Sequence, residues 1–313
     1  MPSRRHALLA YAVPRVRRAR EMTDEPAERA RVEAWHRTLD RSSLPTRMVP
    51  RFEQRWSVVT EQVEGASGPF PSYVVTPRGK EPHTTLVWMH GGGFMAPIDP
   101  FQVRYALRLG AAIGARVVMP DYPLAPEHTW RDSFEPLVGM IARRCEEPGQ
   151  VVLGGDSAGG GYALALALVL RDRAAVAGDV GAQPSRLVLH APWVDLTTST
   201  PETDSLDPID PWLFVGKMRA YALWWAGSPD DLGRPEVSPA LGDLSGLPRA
   251  IVFQGTRDLL WPGTRLLVDR AEEAGWDLTY VEEDGLLHVY PILPIIPESR
   301  RAFRQTLAFL RDR

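Results

Sequence analysis

The chain has 313 residues, 44% of them apolar, with a formal net charge of −3. That length and apolar content suit one large α/β domain with insertions, and so small a charge implies no nucleic acid or other polyanion as partner. Cys145 is the only cysteine, which excludes an internal disulfide and points to a reducing, cytoplasmic setting.

The amino terminus carries Arg4, Arg5, Arg15, Arg17, Arg18 and Arg20 around a short apolar run, residues 6–13. The run is too short to span a bilayer and lacks a clear small-residue cleavage site. It reads as a helix or loose arm, with peripheral membrane contact as the alternative. No other segment is apolar for long enough to be an integral membrane span. Thr23-Asp24-Glu25-Pro26 starts a helix with proline in its first turn, continuing over 27–39. Residues 56–63 and 72–76 read as two strands joined by a Gly/Pro turn, and 84–89 as a third, buried strand.

His90-Gly91-Gly92-Gly93-Phe94 follows that strand directly. Three consecutive glycines leave backbone N–H groups free and let a ligand approach closely, which is what an oxyanion hole requires. His90 reads as a residue that orders this loop by hydrogen bonding. Residues 100–114 form a helix and 115–120 a strand that ends in Asp121-Tyr122-Pro123-Leu124-Ala125-Pro126-Glu127-His128; 130–145 is helical.

The apolar run Val151-Val152-Leu153 then leads into Gly155-Asp156-Ser157-Ala158-Gly159 and an Ala/Leu-rich helix. A strand that turns sharply into a helix holds its central residue in a strained conformation, and the flanking glycines avoid Cβ clashes. Such a turn lifts the Ser157 hydroxyl to the carboxyl edge of the sheet, above a helix amino terminus that favours developing negative charge.

Residues 186–190 give the next strand. Residues 196–238 break the alternation: an apolar helix at 212–225, with Phe214, Met218, Tyr221, Trp224 and Trp225, lies between two turn-rich stretches. An insertion of this kind reads as a cap over a pocket. A strand at 250–254 ends in Gly255-Thr256-Arg257-Asp258, a helix covers 264–274, and a strand at 278–282 ends in a loop reaching His288. Residues 299–311 close the chain as a helix. The alternation predicts an α/β fold, a mostly parallel sheet covered on both faces. Sites in such sheets lie at the carboxyl ends of strands, and Gly92, Ser157, Asp258 and His288 all follow strands.

A serine hydroxyl needs a base, and the base needs an acid to fix its tautomer. Of seven histidines, only His288 follows the last strand in a glycine-containing loop. Asp258 follows the strand before it, giving the chain order Ser, Asp, His. Glu283 and Asp284 are rival acids that lie too close in sequence to His288 to reach its far nitrogen easily.

From about residue 50 onward these motifs resemble the hormone-sensitive-lipase-like branch of the α/β-hydrolase fold, the bacterial family IV esterases. They are His90-Gly91-Gly92-Gly93-Phe94, Asp121-Tyr122 with Leu124-Ala125-Pro126-Glu127, and Gly155-Asp156-Ser157-Ala158-Gly159-Gly160. The resemblance implies Ser157 as nucleophile, His288 as base and Asp258 as acid. It implies an oxyanion hole from the N–H groups of Gly92, Gly93 and Ala158, and a cap built from residues 1–50 with 196–238. Pro123 stands where that family carries arginine, and Pro262 where it carries an acidic residue. The expected activity is hydrolysis of small to medium acyl esters through an acyl-enzyme. An amidase or formamidase with the same residues is the nearest alternative. A non-catalytic receptor on this fold would lack the histidine that His288 supplies. No metal or cofactor is implied, since no histidine/carboxylate cluster has ligand spacing. The expected partner is a small-molecule ester, and a homodimer is left open.

Overall fold

The computed structural model describes residues 2–16, 24–179 and 183–312, so Thr23, Arg17, Arg18 and Arg20 lie outside the described residues. In chain order the elements are α1 (Arg4–Val16), α2 (Glu25–His36), α3 (Phe52–Arg55), β1 (Trp56–Gly65), β2 (Gly68–Pro77) and β3 (Thr84–Met89). Then come α4 (Pro100–Ile113), β4 (Ala115–Pro120), α5 (Phe134–Glu146), β5 (Gln150–Asp156), α6 (Ala158–Ala177) and β6 (Arg186–His190). The chain closes with α7 (Glu202–Leu206), α8 (Val215–Ala226), β7 (Ala250–Arg257), α9 (Trp261–Glu273), β8 (Leu278–Leu287) and α10 (Pro297–Arg311).

The eight strands form one sheet in the order β1-β2-β4-β3-β5-β6-β7-β8. Only the β1–β2 and β2–β4 pairings are antiparallel; every pairing from β4 to β8 is parallel. A parallel sheet needs cover on both faces, because each crossover lays a helix against it. β3 shows the result residue by residue. Val87 and Met89 join the core beneath α5 and α6, while Leu86 and Trp88 join the core beneath α4 and α10. α4 begins where the sequence indicates: Asp99 accepts from the N–H groups of Phe101 and Gln102, and the Gln102 side chain accepts from the Asp99 N–H, a reciprocal cap.

Several element bounds differ from the sequence expectation, each for a local reason. The helix expected over 130–145 starts with a 3-10 turn, Trp130–Asp132, and becomes α-helical only at Phe134. The helix expected from residue 212 starts at Val215, because the Asp210 side chain accepts the N–H groups of Trp212 and Leu213 and holds them in a turn. β7 and β8 continue past residues 254 and 282, paired through an irregularity between Gly255 and Arg257. Glu283 and Asp284 therefore lie in a strand, where Glu283 pairs with Arg301 at 2.7 Å and Asp284 accepts from Thr256 Oγ1 at 3.1 Å.

The amino-terminal helices are tied down at two places. In α1, His6 Nε2 accepts the Leu287 N–H at 3.0 Å, and the Ser3 N–H and hydroxyl donate to Glu298 at 2.6 and 3.0 Å. In α2, Glu28 accepts from the Tyr221 hydroxyl and lies 3.5 Å from Lys217 Nζ, while Glu25 accepts from Trp224 Nε1. All three of those partners are on α8.

Candidate active site

The turn from β5 into α6 carries Ser157 at φ +54°, ψ −127°, a region that non-glycine residues rarely occupy. Four main-chain bonds hold it there. The Ser157 N–H donates to His190 O at 2.8 Å, and the Ser157 carbonyl accepts from Gly160, Gly161 and Trp193 N–H at 3.0, 3.1 and 2.9 Å. Strain of this kind persists only where the surroundings over-determine it. Gly159 is required by crowding: a Cβ there would lie 2.2 Å from Met89 O and 2.3 Å from His90 O.

His288 follows the end of β8, and Asp258 follows the end of β7. The structure brings both to Ser157. The Ser157 hydroxyl donates to His288 Nε2 at 2.9 Å, and His288 Nδ1–H donates to Asp258 Oδ2 at 2.9 Å. All three side chains are buried. Asp258 is held from behind: Gln254 Nε2 donates to its Oδ2 at 2.8 Å and the Leu260 N–H to its Oδ1 at 2.9 Å. Burial pulls the His288 pKa down, but the Asp258 charge, its hydrogen bond and the charge of Asp210 more than offset that, leaving it above the ordinary 6.5.

The glycine loop lies against the same turn, since a Cβ on Gly91 would fall 3.0 Å from Ser157 Cβ. Among the described residues, the N–H groups of Gly92 and Gly93 donate to no acceptor. Ala158 opens α6, where a helix leaves its amides unpaired. Gly92 sits at φ +122°, and a Cβ there would strike the Ala96 carbonyl at 2.9 Å. His90 orders this loop as expected. Its Nδ1 pairs with Gly91 O at 2.9 Å, its ring stacks on Tyr122 at 4.1 Å, and the Tyr122 hydroxyl donates to its carbonyl at 2.7 Å. Complete burial pushes the His90 pKa down to about 4.

Aromatic side chains of residues 196–238 lie against the glycine loop and His288. Tyr221 would meet a Cβ on Gly93 at 3.2 Å, Trp225 stacks on Phe94 at 4.3 Å, and Trp212 stands edge-on to His288. A buried carboxylate lies next to the nucleophile turn. Asp156 is buried beside the serine with its pKa pushed up to about 7 by burial, and it accepts from Gln102 Nε2 at 2.9 Å and Trp88 Nε1 at 3.1 Å. Among the described residues, no group of three His, Cys, Asp or Glu side chains is arranged to hold a metal ion.

A family model described as the alpha/beta hydrolase fold matches residues 86–292, more than half of the chain. The chain belongs to the α/β-hydrolase family. It is 32% identical over 231 residues to an acetyl-hydrolase of Streptomyces hygroscopicus, covering 72% of this chain and 75% of that protein. Among solved structures it is similar to a hyperthermophilic esterase of the archaeon Pyrobaculum calidifontis, with TM-score 0.77, 26% identity and coverage of 98% and 97%. It is also similar to an esterase of the bacterial hormone-sensitive lipase family, with TM-score 0.74, 26% identity and 99% of each chain covered. This α/β-hydrolase thus lies with the hormone-sensitive-lipase-like esterases, as its motifs suggest. Among the described residues, no helix is long and apolar enough to cross a membrane.

Proposed function

We propose that this α/β-hydrolase is a serine carboxylesterase in which Ser157 is the nucleophile, His288 the general base and Asp258 the acid that orients it. One observation carries the reading: the continuous Ser157–His288–Asp258 hydrogen-bonded chain, with both links at 2.9 Å. Ser157 Oγ attacks the ester carbonyl as His288 Nε2 takes its proton. The imidazolium so formed is stabilised by Asp258 and returns the proton to the leaving alcohol. Water then adds to the acyl-enzyme by the same route and frees the acid. The N–H groups of Gly92, Gly93 and Ala158 donate to the carbonyl oxygen as it gains charge.

Residues 1–50 together with 196–238 form the cap in this reading. The α2–α8 contacts support it, as does the packing of Tyr221, Trp225 and Trp212 around the glycine loop and His288. Those rings favour an apolar acyl group of small to medium size. The similarity to an esterase and an acetyl-hydrolase supports an ester over an amide substrate. The single cysteine, free in the structure, suits a cytoplasmic enzyme.

The test is covalent labelling by an organophosphate together with turnover of aryl esters of increasing acyl length and of a matched amide. Labelling at Ser157, its loss with all turnover in Ser157→Ala, and ester hydrolysis well above that of the amide are expected. Ester hydrolysis that persists in Ser157→Ala would falsify the assignment.

A further inference from the structure

Asp210 belongs to the inserted segment, 49 residues before Leu259, which it meets. Its carboxylate is buried and both oxygens are engaged. Oδ2 accepts the N–H of Leu259, the residue directly after Asp258, at 2.8 Å. Oδ1 accepts the N–H groups of Trp212 at 2.7 Å and Leu213 at 3.1 Å. One side chain therefore joins the turn that presents Asp258 to the turn that presents Trp212. The Trp212 ring meets His288 edge-on, with centroids 5.8 Å apart and planes at 78°. Arg257 Nε repeats the tie one residue earlier, donating to Ile209 O at 2.8 Å.

A carboxylate is a costly way to join two turns inside a protein, since buried charge is penalised. Burial and then the charge of Asp258 raise the Asp210 pKa. The charged groups around it are Asp258 and His288, with Arg257 on the neighbouring carbonyl; Asp207 on its own segment is turned to the Val215 N–H at 2.7 Å. His288 in turn faces Asp258, Asp210 and Asp156. Asp210 thus adds a second negative charge that favours the protonated imidazole, and it comes from the insertion.

We propose that Asp210 is a positioning residue for ester hydrolysis: its carboxylate fixes the Asp258 turn and the Trp212 turn as one unit around His288 and backs the imidazolium formed in turnover. This rests on the serine-esterase reading above.

The test is Asp210→Asn in the full chain, assayed for p-nitrophenyl acetate hydrolysis against pH, organophosphate labelling and thermal midpoint. An asparagine has one acceptor oxygen, so one of the two turns is released. A loss in kcat of roughly 10–100-fold is expected with KM little changed, and the acid limb of kcat/KM moves to lower pH. Wild-type kcat with an unmoved acid limb overturns the proposal, and so does a lower thermal midpoint with wild-type kinetics. If Asp210→Asn does not fold, Trp212→Phe decides: a several-fold loss of kcat is expected, and wild-type kcat overturns the proposal. A wild-type protein that is not labelled at Ser157, or a Ser157→Ala variant that still hydrolyses the ester, refutes the underlying reading instead.

Discussion

Arg41 braces Asp121 from outside the sheet. Its Nε donates to Asp121 Oδ2 at 2.8 Å, and its Nη2 donates to the carbonyls of Asp121 and Tyr122, both at 2.7 Å. The cation on this loop thus comes from residue 41. Asp121 is buried, and Tyr122 packs on His90 beneath the glycine loop. Removing one partner of such a pair leaves a buried charge unpaired. Arg41→Met should lower stability by about 2–4 kcal/mol, measured by urea unfolding. Arg41→Lys should recover only part, because an ammonium cannot reproduce the planar fork.

In the proposed mechanism His288 must be neutral to accept the Ser157 proton. With its pKa held above 6.5, kcat/KM should fall as pH drops through a midpoint above 6.5. Asp258→Asn removes the neighbouring charge that raises it. The residual activity should then be about 10⁴-fold lower in kcat, and its acid limb should lie at lower pH. A pH–rate profile of both proteins on one aryl ester is the measurement; an unchanged limb in Asp258→Asn would contradict the assignment.

Gly92→Ala probes the proposed oxyanion loop. The new methyl group meets the Ala96 carbonyl at a positive-φ position, so the loop has to shift. Displacing one oxyanion donor should cost on the order of 10²–10³ in kcat, with a much smaller change in KM. Steady-state kinetics and an unfolding curve together separate this from general destabilisation.

Glu28 links α2 to α8. The Arg31 hydrogen bond in the first place, helped by Tyr221 and Lys217 against the opposing effect of burial, lowers its pKa from 4.5 to about 2. A depressed carboxylate stabilises the folded state above its unfolded pKa and loses that contribution as pH falls through the folded one. Over pH 4.5 to 2 the wild type should therefore lose stability more steeply than Glu28→Gln. Chemical denaturation at stepped pH reads the difference between the two slopes.

The α/β fold was legible because parallel strands buried on both faces read as apolar, β-branched runs. Thr84–Met89, Ala115–Pro120 and Arg186–His190 match the sequence expectation end to end. Ser157, Asp258 and His288 stood out because each follows a strand and so reaches the same edge of the sheet. Asp210 did not stand out: its partners are backbone N–H groups, which leave no side-chain pattern, and one of them is 49 residues away. Arg41 escaped for the same reason, since two of its three acceptors are carbonyls. The extension of β8 to Leu287 was hidden by Gly285, which at φ +69° reads as the end of a strand.

The attachment of α1 and α2 sets an order of events during synthesis. These helices are translated well before their anchors, Tyr221, Trp224, Leu287 and Glu298. Until then their inward faces, His6 and Val32 among them, have no surface to rest on. The nascent chain must therefore carry α1 and α2 undocked until residues 221–298 have been translated.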